Sequence, residues 1–508
     1  MTNRINRRDF LKLASLASLG MVIPPSARAA GSRLQTEKKN VLIVVFDALS
    51  AHNISLYGYQ RETMPNLARL AKRATVFHNH YAGGNYTTPG TASLLTGVLP
   101  WTHRAIRFND GVRDNFAQKS IFHAFDDYYR IGYSHNTLVN TLFKQFIDDL
   151  NEYVPQEEFF LVNDGLIRNV FGNDEDTATV GWARTIKRAE GYSYSLFLSL
   201  LYEKYRDNKV ADTASLYPYG LPSVNNDNFF VLDQSIDTLG DRLAEIPKPF
   251  MGYFHFLPPH YPYKPHKDFA GAFTGDSFKP LSKPDDLFTE GRSDEFLDKW
   301  RVPYDEFILD LDHQFARLFD KLESAGILDD TWLVFTSDHG ELFERGIWTH
   351  STAALYQPVV RVPLLVFEPG VQTGHDVYDP TSAIDLMPTL LHLTGHDIPA
   401  WAEGTILPPY ATTVIDPSKK SVMAVQARYN EPTFPITEAS AMLVRENYKL
   451  VYYTGYRELG ADSERSLLFD IKSDPEELNE LSQIKKETAS EMTDIIRKRL
   501  EESNKPYR

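Results

Sequence analysis

The chain has 508 residues, 42% hydrophobic and 13% aromatic, with a formal net charge of −15 and no cysteine. That length allows one large domain and a smaller one, and the composition suits a protein that buries a full core. The acidic balance argues against nucleic acid as a partner. The missing thiols exclude disulfides, thiolate metal sites and a cysteine nucleophile.

In chain order, "NRRDFLK" (Asn6 to Lys12) places paired arginines before an apolar run, Leu13 to Ile23. "ARA" (Ala27 to Ala29) then offers small residues for cleavage. Residues 1–29 read as a twin-arginine signal peptide, which implies the twin-arginine export machinery as a partner and a periplasmic or extracellular location. The apolar run is too short to span a bilayer, and no later stretch reads as a membrane helix.

"NVLIVVFDALS" (Asn40 to Ser50) is a continuous apolar run that ends on Asp47, as a buried parallel strand does. Met64 to Phe77 has helical apolar spacing followed by β-type residues. "TPGTASLLTG" then gives a turn and a helix start. Residues about 138–245 are polar, aromatic and helix-prone and read as an insertion that could roof a site. Tyr304 to Gly326 is an amphipathic helix with a glycine stop. "DTWLVFTSDHGE" (Asp330 to Glu341) and "RVPLLVFEPG" (Arg361 to Gly370) are two more buried strands, and Ala383 to Gly395 is another helix. Beyond residue 411, "AMLVRENYKLVYYTG" and "SLLFDI" read as antiparallel strands before a charged helix.

This order predicts an α/β fold. A large, mixed, mostly parallel sheet is sandwiched by helices in a catalytic domain over residues 38–410, followed by a small α+β subdomain over 411–508. Asp47, Asp338 and His339 each follow a buried strand. Such ends converge on one sheet edge, where two carboxylates and an imidazole make a site for a divalent cation (Zn, Mn, Mg or Ca).

Eight ordered pieces carry a family resemblance: "NVLIVVFDAL", "TMPNLARLAKRATVFHNHYA", "TTPGTASLLTGVLP", "HFLPPHYPY", "VFTSDHGE", "RVPLLVFEPG", "IDLMPTLLHLTG" and "LLFDIKSDPEELNELS". Over nearly the whole chain after residue 29, the sequence resembles the sulfatase branch of the alkaline phosphatase superfamily. The resemblance implies that Asp47, Asp338, His339 and the Thr87 oxygen hold the metal. It also implies that Thr87, two residues before Pro89, is the nucleophile, with Thr88 as the alternative. The competing reading of Thr87 is a helix cap.

The sequence also departs from the family pattern. Sulfatases need a Cys or Ser at position 87 to make formylglycine, and Thr87 cannot give that aldehyde. Thr91 stands where an arginine usually supports the nucleophile. Members with a plain threonine act mainly on phosphorus. The expectation is therefore hydrolysis of phosphate mono- or diesters or phosphonate esters. Three alternatives stay open: sulfuric ester hydrolysis without formylglycine, phospho-headgroup transfer, and a binding protein that has lost catalysis. The substrate is expected to be a small anionic ester, free or linked to a glycan or lipid.

The same resemblance makes His260, in "PPHYPY", the general acid. It makes His350 a candidate for a second metal or for substrate, and His135 and Asn136 candidates for substrate. His103 reads as structural, and Asp312 as a supporting or capping residue. His78 and His80 lie near Thr87 in sequence alone and read as surface residues.

Overall fold

Eight strands form the main sheet: β1 (Asn40–Phe46), β2 (Thr75–Phe77), β3 (Tyr129–Ser134), β4 (Glu152–Val154), β5 (Phe250–Phe256), β6 (Thr331–Thr336), β7 (Leu364–Phe367) and β8 (His375–Val377). Their order across the sheet is β8-β2-β7-β6-β1-β5-β3-β4. Every pairing is parallel except those of β7, which runs against both β6 and β2. The computed structural model describes residues 38–161, 204–205, 207–224, 228–411 and 420–508. The twin-arginine segment lies outside them.

Strand β1 is buried along its whole length and lies between β5 and β6. Its alternation feeds two cores. Leu42, Val44 and Phe46 face α1 (Pro65–Leu70), α4 (Leu232–Glu245) and α5 (Asp294–Ser324). Val41, Ile43 and Val45 face α2 (Thr87–Thr96), α3 (Thr137–Gln145) and α6 (Leu386–Leu393). A central strand without a polar face is what a sheet covered on both sides requires. Helix α5 starts well before Tyr304, its expected first residue, and carries Pro303 inside it. Ser293 fixes its start by accepting from Phe296 N at 3.2 Å.

The C-terminal sheet is an antiparallel meander of β9 (Val422–Gln426), β10 (Ala439–Arg445), β11 (Tyr448–Thr454) and β12 (Glu464–Asp470). One face packs on α7 (Lys486–Asn504), through Leu443, Leu450 and Leu468 against Met492 and Ile496. The other face packs on Tyr81, Leu342 and Leu355, beside the turn that follows β6. Lys39–Arg508 forms one compact unit, so this sheet is a layer of the same body. Within the expected insertion, α3 and β4 belong to the core sandwich. Residues 162–203 of that insertion lie outside the described residues. Among the described residues, no helix is long and apolar enough to cross a membrane.

Candidate metal and active site

The register of three strands builds the site. Val45 of β1 stands opposite His255 of β5 and Thr336 of β6. Two steps past those positions come Asp47 and Asp338, and three steps past comes His339, at the carboxyl edge where open α/β sheets take ligands. Their ligand atoms all lie within 4.8 Å of one another, and all three side chains are fully buried.

Thr87 joins them from the start of α2. Its Oγ1 is 3.4 Å from His339 Nε2 and 3.4 Å from Asn136 Nδ2. The N-cap of α2 is Tyr86, and no side chain caps the helix, so Thr87 is the first helical residue and not a cap. Thr88 Oγ1 is buried and has no hydrogen bond among the described residues. The helix lies against the β6 turn at backbone distance: a Cβ added at Gly90 would meet the Asp338 carbonyl oxygen at 2.3 Å. Thr91, in the place of the usual arginine, donates from Oγ1 to Asp338 Oδ2 at 3.3 Å.

The donor set fits a divalent cation. His339 Nδ1 donates to the Gly340 carbonyl at 2.9 Å, which leaves Nε2 aimed at Asp47 Oδ1 (3.3 Å) and Asp338 Oδ2 (3.6 Å). A hydrogen bond that fixes the far nitrogen of a ligating imidazole is the usual support for such a site. Asp47 Oδ1 is buried and receives no well-aligned hydrogen bond among the described residues. The protonation pattern shows the same need for a cation. Burial raises the Asp338 carboxyl, and the Asp47 charge raises it further. Burial opposes ionisation of Asp47 too, but His260, His255 and His339 outweigh it and hold that carboxyl well below its usual range. Burial lowers the His339 imidazole, yet Asp338 and Asp47 push it up to about 9. Two buried carboxylates that borrow positive charge from neighbouring imidazoles form a site that a metal would satisfy.

Asn136 donates to Asp47 Oδ2 at 2.5 Å, and its own Oδ1 accepts from Leu138 N at 2.8 Å to cap α3. It thus ties Thr87, a carboxylate and a helix start together. His255 was not anticipated. Its Nε2 lies 3.2 Å from Asp47 Oδ2 and 3.8 Å from Asp338 Oδ2. The signal was present, because His255 is the one strongly polar side chain in the apolar strand "FMGYFHF".

A cleft of about 400 Å³ opens on this group, lined by Thr87, Asn136, His260 and His350 among others. His260 Nδ1 lies 2.6 Å from the Tyr261 carbonyl, to which it donates, leaving Nε2 for the cleft. The rings of His339, His350 and His260 form a row with centroid spacings of 4.3 and 5.0 Å. His350 Nδ1 meets Glu341 Oε1 at 3.0 Å, and Tyr263 donates to the other Glu341 oxygen at 3.1 Å. Burial raises the Glu341 carboxyl to about 7, whereas burial with His339 and His260 beside it lowers His350 well below its usual range. An ionised Glu341 fixes the Nδ1–H form of His350 and presents Nε2 as an acceptor to the cleft. Neither Glu341 nor Tyr263 was assigned a role from the sequence. Two backbones here are left-handed without glycine, Ala48 (φ 60°) beside Asp47 and Thr349 (φ 74°) beside His350. Such conformations persist where surrounding structure holds a site in place.

Other histidines fall elsewhere. His135 is buried against Phe230 at a ring spacing of 4.1 Å, and neither of its nitrogens has a hydrogen bond among the described residues. It does not reach the cleft. His103 bonds Ser93 and the Ala105 amide, a structural role. Asp312 caps α1 by accepting from the Asn66 and Leu67 amides at 2.8 and 2.7 Å. His78 is partly exposed and paired with Asp376. His80 corrects its expectation: it is fully buried, with Nδ1 2.9 Å from Thr381 Oγ1. It sits in a short strand paired to Thr381–Ser382, and the polar letters around it hid that burial.

The family model described as Sulfatase matches residues 39–396, and that described as N-sulphoglucosamine sulphohydrolase, C-terminal, matches residues 346–506. A choline-sulfatase from Rhizobium meliloti (strain 1021) is 27% identical over 481 residues, covering 89% of this chain and 83% of that protein. An arylsulfatase from Clostridium perfringens is 24% identical over 91% of this chain and 93% of that protein. Among solved structures, the phosphonate monoester hydrolase of Agrobacterium radiobacter superposes with a TM-score of 0.66 at 17% identity, covering 92% of this chain and 96% of that one. With the Sulfatase model spanning most of the chain over the same sheet edge that gathers Asp47, Asp338 and His339, this protein belongs to the sulfatase family and is a hydrolase of ester bonds.

Proposed function

We propose that the chain cleaves phosphate mono- or diesters or phosphonate esters, with Thr87 as nucleophile and a divalent cation held by Asp47, Asp338, His339 and Thr87. The supporting observation is the place of the Thr87 hydroxyl. It lies at the base of the cleft, 3.4 Å from His339 Nε2, on a side chain that caps nothing. Members of this family usually bind a divalent metal, and when bound it supplies Lewis-acid charge at the ester oxygens and favours the threonine alkoxide.

The chain's own groups do the rest. Asn136 and the first turn of α2 orient Thr87, and the positive end of that helix faces the anionic ester. Thr87 Oγ bonds to phosphorus as the bond to the leaving oxygen breaks. His260 Nε2 gives that oxygen its proton. Water then cleaves the phosphothreonine, and His260 takes the proton back. Thr87 carries a methyl where formylglycine needs a hydrogen, and this favours phosphorus over sulfur. The second reading, sulfuric ester hydrolysis without formylglycine, draws on the sequence likeness to enzymes named sulfatases.

One panel tests both: nitrophenyl phosphate, phosphodiester, phosphonate and sulfate esters, with acid-quenched protein analysed by mass spectrometry. Fastest turnover of a phosphorus ester, with phosphate on the Thr87 peptide, is expected. Fastest turnover of the sulfate ester would replace this reading with the second. Residues 1–29 are proposed to direct export by the twin-arginine route. A reporter fused to them should stay inside cells that lack the twin-arginine translocase, and its export there would overturn that part.

A further inference from the structure

Beside two residues that line the cleft, Phe108 and Ser351, stands a cation that the chemistry at Thr87 does not use. Arg428 lies just past β9, in the C-terminal layer. Its Nη2 donates to the Ser351 carbonyl at 3.3 Å and to the Tyr429 hydroxyl at 2.6 Å. Nη1 carries no hydrogen bond among the described residues, and Nε is buried without a partner. The guanidinium carbon stands 5.5 Å from the centre of the Phe108 ring and 4.9 Å from that of Tyr429.

Two of these neighbours, Phe108 and Ser351, line the cleft. Phe108 is 46% exposed and Tyr429 61% exposed, so both rings present open surface beside the guanidinium. Arg428 makes no ion pair among the described residues. Nearby Arg107, in contrast, is committed to Asp110 and Glu431. In a chain with a net charge of −15, an uncommitted guanidinium beside a cleft is a local attractor for anions.

We propose that Arg428, Phe108 and Tyr429 form a second subsite, which binds an anionic group carried on the leaving half of the substrate while the ring bearing that group lies on Phe108. The inference rests on ester cleavage at Thr87 and adds a substrate class to it: esters whose leaving group is cyclic and itself negatively charged. A guanidinium matches a carboxylate or a sulfo group in the plane of its fork, and an aromatic face accepts the ring beside it.

The test compares three esters of the acid group that the parent enzyme turns over fastest. One has a plain nitrophenyl leaving group, one the same ring with a carboxylate, and one the same ring with a sulfonate. For Arg428→Ala, kcat/KM should fall about tenfold or more further on the charged rings than on the plain ring, chiefly through KM, since hydrogen bonds to charged groups are worth roughly that much. Arg428→Lys should recover part of the loss, because charge remains without the fork. A loss confined to the carboxylate or to the sulfonate arm identifies the anion. An equal effect of Arg428→Ala on all three esters overturns the subsite. If the parent turns over none of them, the reading at Thr87 falls first, and the subsite falls with it.

Discussion

The floor and the rim of the cleft are built on different terms. Floor groups stand at the ends of strands in fixed register, fully buried, with neighbours supplied by the main sheet, by α2 and by the capped start of α3. Rim groups come from loops and from the edge of the C-terminal meander, and their rings are open to solvent. A floor residue therefore cannot change without disturbing the charge balance of the others. A rim residue can change and leave that balance alone. Under the proposed function, this division gives the reaction to the floor and the choice of substrate to the rim.

The sharpest way to break that comparison is at Thr87. Thr87→Ala should lose nearly all turnover and still melt within a few degrees of the parent, because a side chain that caps nothing costs little stability. Thr87→Ser should keep partial activity, and Thr88→Ala most of it. Steady-state rates and thermal melts check all three. An active Thr87→Ala enzyme would move the nucleophile elsewhere.

Next in size is the floor carboxylate. Asp338→Asn should lose metal and activity together, read by elemental analysis of protein purified without chelator. Metal-free parent protein with full activity would remove the cation from the account. His260→Ala comes third, with a loss of about 10²–10⁴-fold for alkyl leaving groups and much less for nitrophenol. Equal losses on both would take away its role as acid. Glu341→Gln should follow at about tenfold in kcat with little change in KM, since it orients His350 without meeting substrate. A change in KM alone would place Glu341 in binding.

The smallest effect is a control far from the cleft. Asp310 on α5 accepts from His266 N at 2.8 Å, and burial pushes its carboxyl up to about 6. A raised folded pKa gives stability that is present below about pH 4 and lost as pH rises through about 6. For this group the loss is on the order of 2–3 kcal/mol. Asp310→Asn should flatten that decline in melts taken between pH 4 and 7 and leave kcat alone. An unchanged slope would show that the carboxyl ionises in the fold as it does in water.

Much of the floor was legible in the sequence, because strand ends obey simple rules. A continuous apolar run that stops on an acidic residue marks both a buried strand and the sheet edge, which sufficed for Asp47, Asp338 and His339. Asn136 was legible as a candidate, but its part in holding Asp47 and Thr87 depends on a helix cap that only the folded chain shows. His255 was hidden because one polar letter in an apolar strand reads as noise until the strand's neighbours are known. Arg428 was hidden more deeply. It lies several hundred residues from Phe108 in sequence, and nothing local to either residue announces their meeting. His80 misled for the opposite reason, since its polar neighbours suggested exposure while tertiary packing closed over it. Register and burial of short, polar strands are decided by what covers them.

The contact at Gly90 has a consequence for how this chemistry can diversify. Because α2 touches the Asp338 turn backbone to backbone, the spacing between position 87 and the carboxylate is set without reference to the side chain at 87. The helix is a fixed holder, and the residue at its tip is an exchangeable tool. Hydroxyl, thiol or an oxidised derivative would each be presented to the same Asp47, Asp338 and His339 side chains from the same Cβ position. A change of reaction could then begin with one codon, whereas a change at Gly90 would move holder and carboxylate apart and spoil every tool at once.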